Sequence, residues 1–104
     1  MIVEERSYHI VTGKVPDYLR LYEDEGLPIQ VEILGRMIGY FTVDIGEPST
    51  VVHLWAYDSY AERERRRAEL AAHPGWQAYV AKVQPLIHTQ QNRVLVPTSF
   101  SPIR

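Results

Sequence analysis

The chain has 104 residues, 45% of them hydrophobic and 23% charged, and eleven Lys and Arg against thirteen Asp and Glu leave a formal charge of -2. That length holds one domain, residues 1–104, near the size where a second subunit adds useful burial, and the charge excludes a general attraction to nucleic acid or anionic lipid. With no cysteine, a disulfide framework, a thiolate zinc site and a cysteine nucleophile are excluded as well.

The opening "MIVEERSYHI" mixes acids and Arg6 into its first residues, unlike the basic and then apolar layout of a signal peptide. No apolar run approaches the roughly 18 residues of a membrane helix. The expectation is a soluble cytoplasmic protein with no membrane association.

Residues 2–11, "IVEERSYHIV", are β-branched and aromatic with alternating polarity and stop at Thr12-Gly13, which predicts a first strand. Pro16 suits the first turn of a helix, and Val15, Tyr18, Leu19 and Tyr22 follow the spacing that buries one helical face, with Gly26 placed to close it. "LPIQVEILG" restarts helical spacing at Pro28 and ends at Gly35. Residues 37–45 and 50–57 read as strands of a hairpin joined through "GEPS". Ser59 followed by Glu62 matches a capping box, so a helix starts near Tyr60. It breaks at His73-Pro74-Gly75, resumes with Trp76, Tyr79, Val80 and Val83 on one face, and ends near Pro85. Residues 89–97, "TQQNRVLVP", form the last strand.

The order β-α-β-β-α-β is that of an α+β ferredoxin-like sandwich, a four-stranded antiparallel sheet with helices on one face. In the strand at 50–57, Val52, Leu54 and Ala56 are uniformly apolar and are assigned to the helix side, which puts Val51, His53, Trp55 and Tyr57 on the other. In the strand at 37–45 the same alternation groups Ile38 with Tyr40. An aromatic open face asks for cover, and the expected cover is a second copy packed by two-fold symmetry into one dimeric α/β barrel.

"VEERSYHIVTGKVPDYL", "EGLPIQ", "GYFTVDIGE", "VVHLWAYDSYAERERRRAELAAHPGW" and "SFSPI" resemble the NIPSNAP family of the dimeric α/β-barrel superfamily over nearly the whole chain. The resemblance implies a homodimer whose sheets face each other, with a cavity between sheet and helices in each subunit. It implies no particular reaction, because the superfamily spans monooxygenases, haem-degrading enzymes, isomerases and stress-response proteins.

Haem-degrading relatives pair a first-strand asparagine with an iron-ligating histidine, whereas this chain has Arg6 and Ser7 in that strand and His73 at a Pro-Gly break. His73 is therefore read as a helix-start residue. The four histidines, 9, 53, 73 and 88, show no metal-ligand spacing, although His9 and His53 stand on adjacent strands. No metal and no cofactor are expected. The run "ERERRR" reads as a solvated helix face with Glu62 paired to Arg66.

Candidate ligand-binding residues are Arg6, Tyr8, Tyr40, His53, Trp55, Tyr57 and Arg93 on the strands, with Trp76 closing the pocket from a helix. They suit a small aromatic or carboxylated ligand; for each of them the competing role is interface packing with internal hydrogen bonds. Arg6 and Tyr8 face either the barrel or the helices. The leading expectation is a homodimer, paired through the sheet face, that binds a small aromatic or apolar molecule. The alternatives are a cofactor-independent monooxygenase in which His53 or a tyrosine moves a proton, and an interaction module without a ligand, whose barrel would be filled and whose apolar patch would face outward.

Overall fold

In the computed structural model, which describes residues 1–104, the strands are β1 (Ile2–Ile10), β2 (Arg36–Thr42), β3 (Thr50–Tyr57) and β4 (Ile87–Leu95). The helices are α1 (Val15–Leu21), α2 (Leu27–Leu34), α3 (Tyr60–Ala72) and α4 (Pro74–Val83), with a π-helical turn at Tyr22–Gly26 and a 3-10 turn at Gln84–Leu86. All strand pairs are antiparallel and the sheet order is β2-β3-β1-β4, the ferredoxin-like arrangement. Leu70, Ile33, Leu34, Tyr18, Tyr79 and Val83 from the helices pack on the same side of the sheet, against Ile2, Ile10, Val51, Trp55 and Tyr57.

Local signals explain most boundaries. Ser59 Oγ accepts from the Glu62 N–H at 3.1 Å, and Glu62 reaches back to the Asp58 N–H at 3.0 Å, so the α3 entry is capped in both directions. His73 starts α4: its Nδ1 accepts from the N–H groups of Gly75 at 3.0 Å and Trp76 at 3.3 Å. Gly35, at φ +89, ends α2 in a conformation that strains any other residue.

Gly26 departs from its expected role. The chain does not stop there; it passes through at φ -85 and stays helical from α1 into α2. A Cβ at Gly26 would stand 2.8 Å from the Tyr79 ring and 2.9 Å from that of Tyr22, so this glycine provides close approach rather than a cap. The π turn adds a residue to the helical repeat and rotates α2 so that Gln30, Ile33 and Leu34 are buried.

The facing of β3 is the opposite of the expected one. Val51, His53, Trp55 and Tyr57 lie under the helices and are essentially fully buried within the single chain, while the half-buried Val52 and Leu54 and the buried Ala56 are on the opposite face. Alternation identifies two faces but not which of them the helices cover when both are apolar. The large rings fill the layer between sheet and helices, and the Trp55 N–H finds its partner there in His53. Register then settles β1: Arg6 pairs with His53, Glu4 with Trp55 and Tyr8 with Val51, so Glu4, Arg6 and Tyr8 also face the helices.

A bulge in β2 separates two residues that alternation grouped together. Ile38 is the extra residue between Met37, opposite Trp55, and Gly39, opposite Leu54. Tyr40 is thereby brought opposite His53 on the helix side, whereas Ile38 joins Val3, Leu54 and Leu95 on the open face.

Gly26→Ala is expected to lower the unfolding free energy in urea by about 1–3 kcal/mol, the usual cost of overpacking a filled site. A variant as stable as the parent would show that the Tyr79 ring moves aside freely.

Candidate functional site

A cavity of about 200 Å³ lies between the centre of the sheet and the helices. Its walls are aromatic. The Tyr40 ring stacks on His53 at 4.5 Å between centroids and on Tyr22 at 4.6 Å, while Tyr8 meets His53 edge-on at 4.9 Å. Trp76 and Tyr79 of α4, 5.0 Å apart, close the helix side.

The hydroxyls are tied down in pairs. Tyr18 and Tyr40 share a 2.5 Å hydrogen bond, and Tyr22 donates to Oε1 of the buried Gln30 at 2.6 Å. Burial pushes Tyr18, Tyr22, Tyr40 and Tyr79 above the ordinary phenol range, and their mutual proximity adds to it. All four are therefore neutral at physiological pH and none supplies a phenolate base.

His53 is buried, and the Trp55 indole Nε1–H donates to its Nδ1 at 2.7 Å. Indole nitrogen is a donor only, so Nδ1 must present its lone pair and a neutral imidazole must carry its proton on Nε2. Burial first, and then the Arg6 and Arg67 guanidiniums, hold the group down to about 3, which keeps it neutral. Nε2 is thus a buried donor, and it has no partner in the protein.

Beside it runs a charged network. Glu4 Oε2 accepts from Arg63 at 2.7 Å, Asn92 at 2.8 Å and Arg6 at 3.1 Å, and Arg6 Nε donates to the Tyr8 hydroxyl at 3.0 Å. Burial pushes the Glu4 carboxyl up, but the hydrogen bonds from Arg63 and Asn92 and the charge of Arg6 outweigh it and hold the group at about 2. Arg67 of α3 reaches the cavity from above; it forms no ion pair, and its Nη1 is buried without a partner. No lining residue is a carboxylate. The site can bind and polarise an acceptor, and it holds no resident base.

Five of the sequence-predicted residues, Arg6, Tyr8, Tyr40, His53 and Trp76, come together on the cavity wall. Trp55 stands behind the wall as the donor that orients His53, and Tyr57 is buried further along β3. Arg93 lies on the opposite side of the sheet and pairs with Glu5 at 2.8 Å, because β4 places it in the Glu5 register rather than the Arg6 register. His9 likewise faces away from His53, 3.2 Å from Glu47, and no three His, Cys, Asp or Glu side chains converge on one point.

Sequence reasoning missed Arg67, Gln30, Gln90 and the helical tyrosines 18, 22 and 79, all of which line the cavity. Arg63 and Arg67 share an i, i+4, i+7 stripe with the buried Leu70, which was the available signal. The outer part of the run behaves as expected, with Glu62 on Arg66 at 3.0 Å.

The sequence model described as NIPSNAP matches residues 3–102. The chain belongs to the NIPSNAP family. The crystal structure of a NIPSNAP family protein from Agrobacterium tumefaciens is 50% identical, covers 99% of this chain and 98% of its own, and superposes with a TM-score of 0.97. An uncharacterized NIPSNAP domain protein from Burkholderia xenovorans is 44% identical over 98% of this chain and 99% of its own, with a TM-score of 0.94. The protein NipSnap of Drosophila melanogaster is 42% identical over 97% of this chain, which spans only 36% of that relative's length. Other curated animal NipSnap proteins are likewise much longer: a Caenorhabditis elegans relative shares 33% identity over 96% of this chain but only 19% of its own length. An antibiotic biosynthesis monooxygenase shares the fold alone, at 13% identity and a TM-score of 0.66. The stretch "EGLPIQ" has a physical reading in this site: Glu25 pairs with Lys82 at 2.8 Å, Gly26 admits the Tyr79 ring, Pro28 opens α2, and Gln30 holds Tyr22.

The buried imidazole makes stability pH-dependent with a definite sign. An unfolded histidine titrates near 6.5 but His53 in the fold only near 3, so between these values the unfolded chain binds the extra proton. Stability is complete above 6.5 and is lost as pH falls, by up to about 1.4 kcal/mol per pH unit. Glu4 adds a loss only from about 4.5 downward. Chemical denaturation from pH 6.5 to 4.5 is expected to show a shallower slope for His53→Gln than for the parent; identical slopes would contradict the burial of a neutral His53.

Proposed function

We propose that this NIPSNAP chain is a cytoplasmic, homodimeric small-molecule-binding protein whose cavity takes one aromatic or apolar ring. The observation that carries this reading is an unfilled space of about 200 Å³ walled by stacked rings, among them His53, whose Nε2–H has no protein partner. A cavity of about 150 Å³ accommodates benzene, so about 200 Å³ suits a single ring with a substituent. The size is below the 300–1,000 Å³ typical of drug-sized ligands, which favours a compact molecule over a polycyclic one.

An interaction module without a ligand calls for a filled interior, and this interior is not filled. A cofactor-independent monooxygenase that uses His53 or a tyrosine as proton acceptor calls for a free basic lone pair. The bond from Trp55 occupies Nδ1, Nε2 carries hydrogen, and the tyrosines hold their protons. Binding is the function these groups serve as placed.

Dimerisation is supported by the other face of the sheet. Only 19 of 104 residues are buried, and the two-layer body is 19 Å in its thinnest dimension. Val52, Leu54 and Phe41, the last 55% exposed, lie on the open face with Leu95 and Ile38 beside them. A second copy packed through these residues would close that face. The contact in this reading runs through the aliphatic side of β3 rather than through Trp55 and Tyr57. A cysteine-free composition is compatible with the reducing cytoplasm.

Two measurements test the reading. A thermal-shift screen of single-ring aromatics is expected to raise Tm by several degrees at saturating ligand, because binding to the folded state alone stabilises it by mass action; no stabilisation by any compound would remove the ligand. Light scattering at micromolar concentration is expected to find a dimer that Leu54→Asp converts to a single chain, and a monomeric parent would remove the barrel.

A further inference from the structure

Two guanidiniums, those of Arg6 and Arg67, line the cavity and no carboxylate does. One buried carboxylate, Glu4, serves both Arg6 and Arg63 through a single oxygen, at 3.1 Å and 2.7 Å. Arg67, on the same wall, has no carboxylate partner, and its Nη1 is shielded from solvent without a hydrogen bond. His53 adds a second idle donor, since Trp55 fixes its Nδ1 as the acceptor and leaves Nε2–H unpaired. A buried polar group without a partner costs on the order of 1–3 kcal/mol; the chain's own idle oxygens, Glu4 Oε1 and the Tyr57 hydroxyl, belong to residues outside the cavity lining, so the wall itself offers guanidinium and imidazole donors and no carboxylate.

From this convergence we infer that the cavity is selective for anionic ligands: a single ring whose carboxylate is seated against the Arg67 guanidinium, next to Arg6 and the Nε2–H of His53. This rests on the reading that the cavity binds a single-ring molecule and specifies its chemistry. The forked guanidinium matches two carboxylate oxygens and the stacked tyrosines take the ring. An aromatic box alone would also suit an organic cation, but two guanidiniums on the same wall repel one. The formal charge of the whole chain is -2, so the preference is set locally by these residues and not by overall attraction.

Isothermal titration of the purified protein with benzoate, phenylacetate and 4-hydroxybenzoate, each against its own amide, tests the inference. The best acid is expected to bind at least about tenfold more tightly than its amide, as loss of a charge-assisted hydrogen bond implies. Arg67→Gln is expected to lose that preference while still binding the amide; Arg67→Lys, which keeps the charge, is expected to retain part of it and serves if the glutamine variant does not fold. Arg67 is the residue to change because Arg6 also supports Glu4. If amides bind the parent as well as acids, or if the preference survives in Arg67→Gln, the anion selectivity is wrong while the cavity reading stands. If neither acids nor amides bind the parent, the cavity reading itself falls and this inference with it.

Discussion

The indole N–H of Trp55 is buried, can only donate, and is aimed at Nδ1 of His53 from 2.7 Å. Because that bond consumes the imidazole's one lone-pair nitrogen, the other nitrogen is obliged to carry the proton, and the ring that lines the cavity holds a donor with no protein partner. The bond exists because Trp55 and His53 are two apart on β3 and hence on one face, and because the sheet turns that face toward the helices. Tyr40 reaches the stack over His53 only through the β2 bulge, and Tyr79 is placed against Tyr22 only where residue 26 has no side chain. The cavity's polarity thus depends on a hydrogen bond, while its shape depends on one extra residue and one missing methyl.

The charged layer is arranged to the same end. Glu4 would be costly to bury alone, and three donors from β1, α3 and β4 converge on it, which ties the helix layer to a central strand and an edge strand. Arg63 is used for that tie and Arg67, one turn later, is left over. A helix that reads as a solvated charged rod therefore contributes a structural arginine and a cavity arginine from its inner stripe. The open side of the sheet carries aliphatic residues and the Glu5–Arg93 pair, a separate surface with no part in the cavity.

Much of the architecture was legible in the sequence. Strand alternation, the Ser59–Glu62 cap, the His73-Pro74-Gly75 break and the resemblance to NIPSNAP proteins led to the observed element order and fold. The phase of each strand was harder to read. Residues 51–57 are apolar at both parities, so composition pointed the smooth aliphatic side inward, whereas the large rings go inward, where the Trp55 N–H meets Nδ1 of His53 and the rings fill the layer under the helices. Arg93 was misplaced for a related reason: nothing within β4 fixes its register against β1. Ile38 was misplaced because a bulge shifts parity without a strong local mark. Tyr18, Tyr22 and Tyr79 were recognised as a buried stripe, but a stripe that packs and a stripe that walls a cavity have the same spacing.

The protonation of the His53 ring is the most direct test of the account. Long-range ¹H–¹⁵N correlation spectra of histidine-labelled protein, with His53 assigned by substitution, resolve which ring nitrogen carries hydrogen. The account predicts a neutral ring protonated at Nε2 and bare at Nδ1, persisting to pH well below the usual imidazole range. A ring protonated at Nδ1, or an imidazolium at mildly acidic pH, would contradict it.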